Sequence, residues 1–160
     1  MEFNDLMRAL AENSNVEGGF PADEDGVVCV GNGNLRLSFM EVPESRSLLV
    51  WSSVGALPED GADALKTELL KANFMGRDVN GGTLSLSDDG EAYLHRILQL
   101  DLLDKAAFLK ALEDFILVLD RWTRALVEYR PEESGESEEP ESRERLSGLG
   151  DVDLSGFIRV

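Results

Sequence analysis

A stretch rich in glycine and aspartate, residues 69–94, is the part of the sequence most similar to a ligand-binding loop; it reads "LLKANFMGRDVNGGTLSLSDDGEAYL". A phosphate-binding loop closes with Lys and then Ser or Thr at the start of a helix, whereas "GRDVNGGT" contains no lysine and leads into a strand-like run. Asp78, Asp88 and Asp89 lack the alternating spacing and the closing glutamate of an EF-hand calcium loop, as does "DEDG" at 23–26. We therefore predict turns between short strands, with no phosphate site, no metal site and no cofactor.

Nucleophilic catalysis is the second chemistry to consider, because the chain has one cysteine, Cys29, and one histidine, His95. A cysteine nucleophile needs a base within hydrogen-bonding distance, and these two residues stand far apart, in "GVVCVG" and "YLHRI". The fold alone would have to bring them together. We predict no catalytic residues. A small enzyme that uses Cys29 or His95 is a less favoured alternative, and it predicts loss of activity in Cys29→Ser or His95→Ala variants.

The charge of the chain limits the partners that it can bind. Its 32 acidic and 15 basic side chains give a formal net charge of −17 over 160 residues. Nucleic-acid binding depends on Lys and Arg that neutralise phosphates, and attraction to an anionic membrane surface depends on basic clusters. No run approaches the roughly 18 apolar residues of a spanning helix. We therefore predict no nucleic-acid partner and no membrane insertion.

The compartment is predicted from the N-terminus and the cysteine content. The first residues, "MEFNDLMRALAENS", lack the basic region and the apolar run of a signal peptide. A single cysteine cannot form an intrachain disulfide, so nothing indicates an oxidising compartment. Both observations predict a cytoplasmic protein.

The composition changes after Tyr129 and divides the chain into two predicted parts. Residues 1–130 have the length of one domain with a single core. Residues 131–145, "PEESGESEEPESRER", contain no aliphatic residue, so we predict a disordered acidic spacer. Residues 146–160 regain apolar side chains and are either a flexible end or a segment that docks onto its own domain or onto a partner. In the docking alternative, this end occupies a groove until a client displaces it.

Hydrophobic periodicity predicts the elements of the first half. Residues 2–14 form an amphipathic helix whose apolar side chains stand at helical spacing: Phe3, Leu6, Met7 and Leu10. Three strand-like runs follow, "GVVCVG", "NLRLSFMEV" and "SLLVWSSV", which predict an antiparallel meander. In the middle run Leu35, Leu37 and Phe39 share one face, which is typical of a half-buried sheet.

A second helix is predicted to begin near Pro58, to carry Leu65, Leu69 and Ala72 on one side and to end by Gly76. The runs "GTLSLS" and "AYLHRILQL" then predict two strands joined by the turn "DDG". The second of these runs has apolar residues on both faces, which favours burial between two layers. A final helix covers about residues 104–129 and has a wide apolar stripe. The order α-β-β-β-α-β-β-α predicts an α+β domain in which helices cover an antiparallel sheet.

Several of these residues, taken together, resemble a known family. The sequence has "LLKAN" at the end of the second helix, Gly81 leading into "LSL", and then "LHRILQLDLLDKAAFLKALEDFILVLDRWTRAL" with Trp122 in the final helix. This combination looks like the Tir-chaperone group of type III secretion chaperones. Cys29 also stands where relatives often carry a small residue or a cysteine. The resemblance covers about residues 1–130 and depends on the combination, because no single motif is diagnostic.

The resemblance implies a bacterial cytoplasmic homodimer that uses no ATP. It implies binding of the N-terminal region of secreted effector proteins in an extended state, which keeps them soluble and secretion-competent. Apolar residues of the first helix and of the sheet would contact the effector: Phe3, Leu6, Leu10, Leu35, Leu37 and Phe39. We expect this face of the first helix to be partly exposed. In the family the second helix and the following strand form the dimer interface, which here implies Leu65, Leu69, Ala72, Phe74, Leu84 and Leu86.

Two alternatives stay open at the level of sequence. Each proposed interface residue could instead belong to the core of the domain. The same fold class also includes YbjN-like regulatory domains, which would make the protein a bacterial binding module unconnected to secretion. An effector that co-purifies with the protein would separate the two functions.

Overall fold

A computed structural model describes residues 1–33, 35–76, 78–129 and 158–159. The helices are α1 (Phe3–Asn13), α2 (Ala62–Asn73) and α3 (Lys105–Glu128). The strands are β1 (Val27–Asn32), β2 (Leu35–Val42), β3 (Ser47–Ala56), β4 (Thr83–Leu86), β5 (Glu91–Gln99) and β6 (Ile158–Arg159). The predicted α+β order of the first eight elements is confirmed. The predicted acidic spacer, 131–145, lies outside the described residues.

The strands form one sheet in the order β4-β5-β3-β2-β1-β6, in which all paired neighbours are antiparallel. The predicted meander is confirmed, since β1 pairs with β2 and β2 with β3. After α2 the chain returns to pair β5 with β3, which leaves β4 at one edge. At the other edge, β6 pairs with β1. The backbone of residues 158–159 therefore docks onto its own domain, which is one of the two alternatives predicted for the C-terminal end. It docks at a sheet edge, whereas the prediction placed it in a groove.

The inner face of the sheet packs against the helices. Val28, Phe39 and Val50 are cross-strand neighbours on this face and are all buried. The ring of Phe39 meets that of Phe108 in α3 edge to face, with the ring centroids 6.5 Å apart. Burial of such large apolar side chains is the main stabilising contribution to a domain of this size. The inner face of the sheet and the helices that cover it therefore form the core.

The outer face of the sheet is less covered. Its residues alternate with those of the inner face, and Met40, Leu49 and Ile97 form one cross-strand row on it. Met40 and Leu49 are half-buried, and Ile97 is 60% exposed. The prediction that β5 is buried between two layers is therefore wrong. In the described part of the chain, α3 packs on the inner face, and Ile97 on the outer side of β5 stays exposed.

Contacts at one end of the domain hold α1 in place. The N-terminal ammonium of Met1 donates a hydrogen bond to the Leu100 carbonyl at 3.0 Å. Lys105, the first residue of α3, forms an ion pair with Glu12 at 2.8 Å. Leu6 and Leu10 are completely buried in the core cluster. Helix α1 is therefore an integral part of the core.

Helix α2 begins later than its sequence predicted. Pro58 precedes the helix, and the N-cap is Gly61, which has a left-handed φ of 81°. A Cβ at this position would lie 2.5 Å from the hydroxyl oxygen of Tyr129 at the end of α3. Glycine is thus required at position 61 both by its backbone conformation and by the close approach of Tyr129.

Candidate functional site

The glycine- and aspartate-rich stretch forms turns, as predicted. The turn between β4 and β5 closes with a hydrogen bond from the Gly90 amide to the Ser87 carbonyl at 3.0 Å. The Asp78 carbonyl accepts hydrogen bonds from the side chains of Arg121 and Trp122 in α3. Within the described ranges, no group of three or more His, Cys, Asp or Glu is placed to hold a metal ion. These contacts of Asp78, Ser87 and Gly90 are all within the protein.

Cys29 and His95 are on the same face of the sheet but not in contact. They belong to one cross-strand row, with Ser38 and Trp51 between them. Three strand spacings separate them, roughly 14 Å. The Cys29 thiol contacts the Ser38 hydroxyl at 3.5 Å, and His95 Nδ1 lies 3.4 Å from the Ser85 hydroxyl. The fold therefore does not assemble the cysteine–histidine pair that an enzyme of this kind requires.

Four of the exposed large apolar side chains lie on α2, in the turn after it and on β4. The α2–β4 patch consists of four residues with the following exposed fractions: Leu70 73%, Phe74 67%, Met75 81% and Leu86 40%. Asn73 connects the two elements, since its side chain bonds to the backbone of Leu84 in β4. Large apolar side chains that are exposed together commonly mark a binding surface.

The structure separates the six residues predicted for the dimer interface into two groups. Phe74 and Leu86 belong to the α2–β4 patch, whereas four others are buried within the chain: Leu65, Leu69, Ala72 and Leu84. Sequence reasoning missed Leu70 and Met75. Leu70 falls outside the helical stripe that points into the core, and this position was the available signal. Met75 has a left-handed backbone, with a φ of 58°, in the turn after α2, which the sequence does not indicate.

The six residues predicted to contact the effector are mostly in the core. Leu35 is half-buried, and the other five are buried: Phe3, Leu6, Leu10, Leu37 and Phe39. The expected partial exposure of α1 is therefore wrong for the folded chain, because its apolar face packs against the core. The predicted alternation in β2 is correct, but the side that carries Leu37 and Phe39 faces the helices. A direct role of these residues in effector binding stays a prediction.

A cavity of about 760 Å³ lies beside β2, β3 and α3. We call it the Trp51 cavity; its lining includes Leu35, Arg36, Trp51, Tyr93, Leu117 and Thr123. Trp51 and Tyr93 also belong to the outer face, where Trp51 neighbours Ser38 and His95 across the strands. Sequence analysis did not single out Trp51. The signal for it was a large aromatic residue on the side of β3 opposite to the buried Val50 and Ser52.

Several exposed ion pairs lie on the surface of the domain. Arg46 bonds to Asp101 at 2.8 Å, and this hydrogen bond holds the pKa of the Asp101 carboxyl below its usual value. The hydrogen bond from Lys105 likewise lowers the pKa of Glu12. In α3, hydrogen bonding to Asp114 raises the pKa of Lys110. Because water screens such exposed pairs, each contributes little to stability.

Comparison with known proteins finds one matching family. Residues 5–123 match the Tir chaperone protein (CesT) family. No match was found among curated proteins. In the described part of the chain, every helix is too short or too polar to cross a membrane.

Several solved structures have a similar fold. A chain of the ExsC–ExsE complex is 19% identical to this chain and superimposes with a TM-score of 0.63. The match covers 79% of this chain and 97% of that chain. A chain of the HopA1–SchA chaperone–effector complex is 17% identical, with a TM-score of 0.59 and coverage of 79% and 94%. The structure of the Yersinia pestis type III secretion chaperone SycH with a YscM2 fragment gives 15% identity, a TM-score of 0.60 and coverage of 76% and 97%. At these identities the likeness shows a shared fold. The match over residues 5–123 shows that the chain belongs to the Tir chaperone protein (CesT) family.

Proposed function

We propose that the protein is a type III secretion chaperone, which binds one or more secreted effectors and keeps them soluble and secretion-competent. The family match over residues 5–123 carries this proposal. The similar structures support it, since they include a chaperone–effector complex and a type III secretion chaperone bound to a protein fragment. The separation of Cys29 from His95 further disfavours an enzyme built on that pair.

The α2–β4 patch is the proposed interface of a homodimer. Two copies of a chain can bury the same patch against each other across a twofold axis. Phe74 and Leu86, with Leu70 and Met75, would contact the partner because they are exposed. The four predicted interface residues in the core (Leu65, Leu69, Ala72 and Leu84) would support the interface from within each protomer.

The proposed effector surface consists of the outer face of the sheet and the Trp51 cavity, which is lined by residues of both sheet faces and of α3. A sheet face with half-buried apolar residues in rows suits an extended segment, whose side chains can contact successive rows. Trp51, on the outer side of β3, and Leu35, on the inner side of β2, both line the cavity and would accept an apolar side chain there. The predicted contact residues in the core, such as Leu37 and Phe39, would hold this surface in place from the inner side.

The client is proposed to be the N-terminal region of the effector in an extended state. An extended segment contributes no core of its own, so its apolar side chains depend on the chaperone for burial. The net charge of −17 would keep the complex soluble and would favour clients with basic residues.

The function is tested by capture followed by quantitative binding. Proteins that co-purify with the chain from its native host are identified, and export of each is compared between the wild-type host and a deletion strain. Binding of the recombinant N-terminal region of an exported partner is then measured by calorimetry. We expect Trp51→Glu to weaken binding at least about tenfold, since it places a charge in the apolar contact. Leu102→Glu is the matched control, because Leu102 is 82% exposed and lies outside both surfaces.

Two results would overturn the proposed function. The first is unchanged secretion of every partner in the deletion strain. The second is a set of partners without any secreted protein, which would favour a YbjN-like regulatory role.

The dimer is tested by sedimentation equilibrium at micromolar concentration. The unmodified chain should sediment as a dimer, and a variant with Leu70→Asp and Phe74→Asp as a folded monomer, because both residues are exposed in the single chain. Leu102→Asp adds a charge to another exposed leucine and should leave the dimer intact. A stable monomer for the unmodified chain would contradict the proposed interface.

A further inference from the structure

The two edges of the sheet are protected by different means. At the β4 edge, the Asn73 side chain donates to the Leu84 carbonyl at 2.9 Å and accepts from the Leu84 amide at 2.8 Å. Both backbone groups of Leu84 are therefore bonded to a side chain of α2. Because an unprotected edge strand can pair with another chain, such protection disfavours strand addition at β4.

The β1 edge is protected by another piece of backbone. Strand β6 pairs with β1 in antiparallel orientation, with Val30 opposite Arg159 and Gly31 opposite Ile158. Among the described residues, this pairing involves only two of the six residues of β1. The β1 edge thus holds a strand, and most of its length has no described neighbour on that side.

From these observations we propose that β6 is a built-in strand ligand of the β1 edge and that a partner strand must displace it. The proposal deepens the proposed function, because the partner strand would belong to the effector. It makes the β1 edge a strand-acceptor site next to the outer face, to which Val27 and Cys29 of β1 contribute.

In its described part, β6 pairs with two residues of β1. The net gain from each main-chain hydrogen bond is small beside the entropy lost on ordering the backbone, so a strand of this kind can be displaced. Covalent connection to the domain compensates, since a tethered ligand experiences an effective concentration on the order of millimolar. A client strand that pairs along all six residues of β1 would form more bonds than the described part of β6 does.

The sequence of the C-terminal end indicates which partner the edge accepts. The last residues, "GFIRV", combine aromatic and β-branched residues, which favour strands, with one basic residue. The chain as a whole is strongly acidic, so an added strand with a positive charge is favoured. The edge should therefore prefer an extended segment that is apolar, rich in strand-forming residues and basic.

The proposal is tested on the full-length chain with a peptide of its own C-terminal sequence, "LSGFIRV". Adjacent amides of a strand point to opposite edges, so replacing both Ile158 and Arg159 by Pro removes whichever amide faces β1. We expect this double variant to bind the fluorescent peptide roughly tenfold more tightly than the unmodified chain, because the tethered competitor is lost. The matched control replaces Ser134 and Ser137 by Pro in the acidic spacer and should behave as the unmodified chain.

Hydrogen exchange locates the binding. One of the two amides of Val30 and Gly31 faces β6. This amide should exchange faster in the Ile158→Pro, Arg159→Pro double variant than in the unmodified chain. Added peptide should restore its protection. Equal peptide affinity in the two proteins, or no binding to either, would overturn the proposal. Unchanged exchange at both amides would also overturn it. Because this assay uses no effector, its failure leaves the proposed chaperone function standing. Failure of effector export would remove the effector as the partner but would leave standing the displacement of β6 from the β1 edge by an added strand.

Discussion

Replacing Asn73 by Ala should destabilise the domain and loosen β4 in particular. The Asn73 side chain forms two hydrogen bonds with the backbone of Leu84, at 2.8 and 2.9 Å, and Leu84 is buried. At about 1 kcal/mol for each bond, with water only partly able to replace them, the free energy of unfolding should fall by about 2 kcal/mol. For a domain of this size that corresponds to a decrease in Tm of about 4–8 °C.

The matched control is Asn13→Ala, because Asn13 and Asn73 are the last residues of α1 and α2, and Asn13 is exposed. Thermal denaturation followed by circular dichroism measures both variants. Hydrogen exchange should also show faster exchange of the Leu84 amide in Asn73→Ala alone. If the two variants lose the same stability and Leu84 keeps its protection, the hydrogen bonds to β4 do not have the role assigned to them.

Three further predictions concern stability. Leu69→Asp should unfold the chain, at a cost of at least about 4 kcal/mol, because Leu69 is buried and the new carboxylate has no partner; a folded monomer by circular dichroism and sedimentation would contradict this. Gly61→Ala should cost about 2 kcal/mol in chemical denaturation, since the left-handed backbone and the Tyr129 hydroxyl both oppose a Cβ. Tyr129→Ala should remove part of that cost, and an unchanged cost would refute the steric explanation. The hydrogen bond from Arg46 lowers the pKa of Asp101 in the folded chain. The pair therefore stabilises the fold at pH values above about 4, the pKa of Asp in the unfolded chain, and this contribution is lost as the pH falls through the lower pKa of the folded chain. The difference in Tm between the unmodified chain and Asp101→Asn should therefore shrink on acidification, and a difference that grows would contradict this.

The structural role of Asn73 is visible only in the folded chain. In the sequence, the run "LLKAN" contributed to the family resemblance without any indication of what its asparagine contacts. The structure adds that the asparagine of this run bonds to the edge strand β4, eleven residues further along the chain. Nothing in the local sequence shows which backbone groups an asparagine at the end of a helix will reach.

Leu69 and Leu70 show the corresponding limit for surfaces. The stripe of Leu65, Leu69 and Ala72 predicts which side of α2 is buried, and these three residues are in the core. The stripe alone does not show what covers this side of α2. In the structure other parts of the same chain cover it, so the three residues are not exposed to a partner. Leu70 and Met75 are exposed instead, on a surface that depends on how α2 packs.

The sequence by itself determined the α+β class, the order of the first eight elements and the alternation within β2, because periodicities of 3.6 and 2 residues are local properties. It also determined the acidic charge, which follows from composition alone. The tertiary structure decided which side of the sheet the helices cover, and thus why Phe39 is buried while Ile97 is exposed. It also decided that Cys29 and His95 stay three strands apart and that Ile158 reaches Gly31 at the sheet edge. These outcomes depend on contacts between residues distant in the chain, and a local pattern contains no information about which distant segment will provide them.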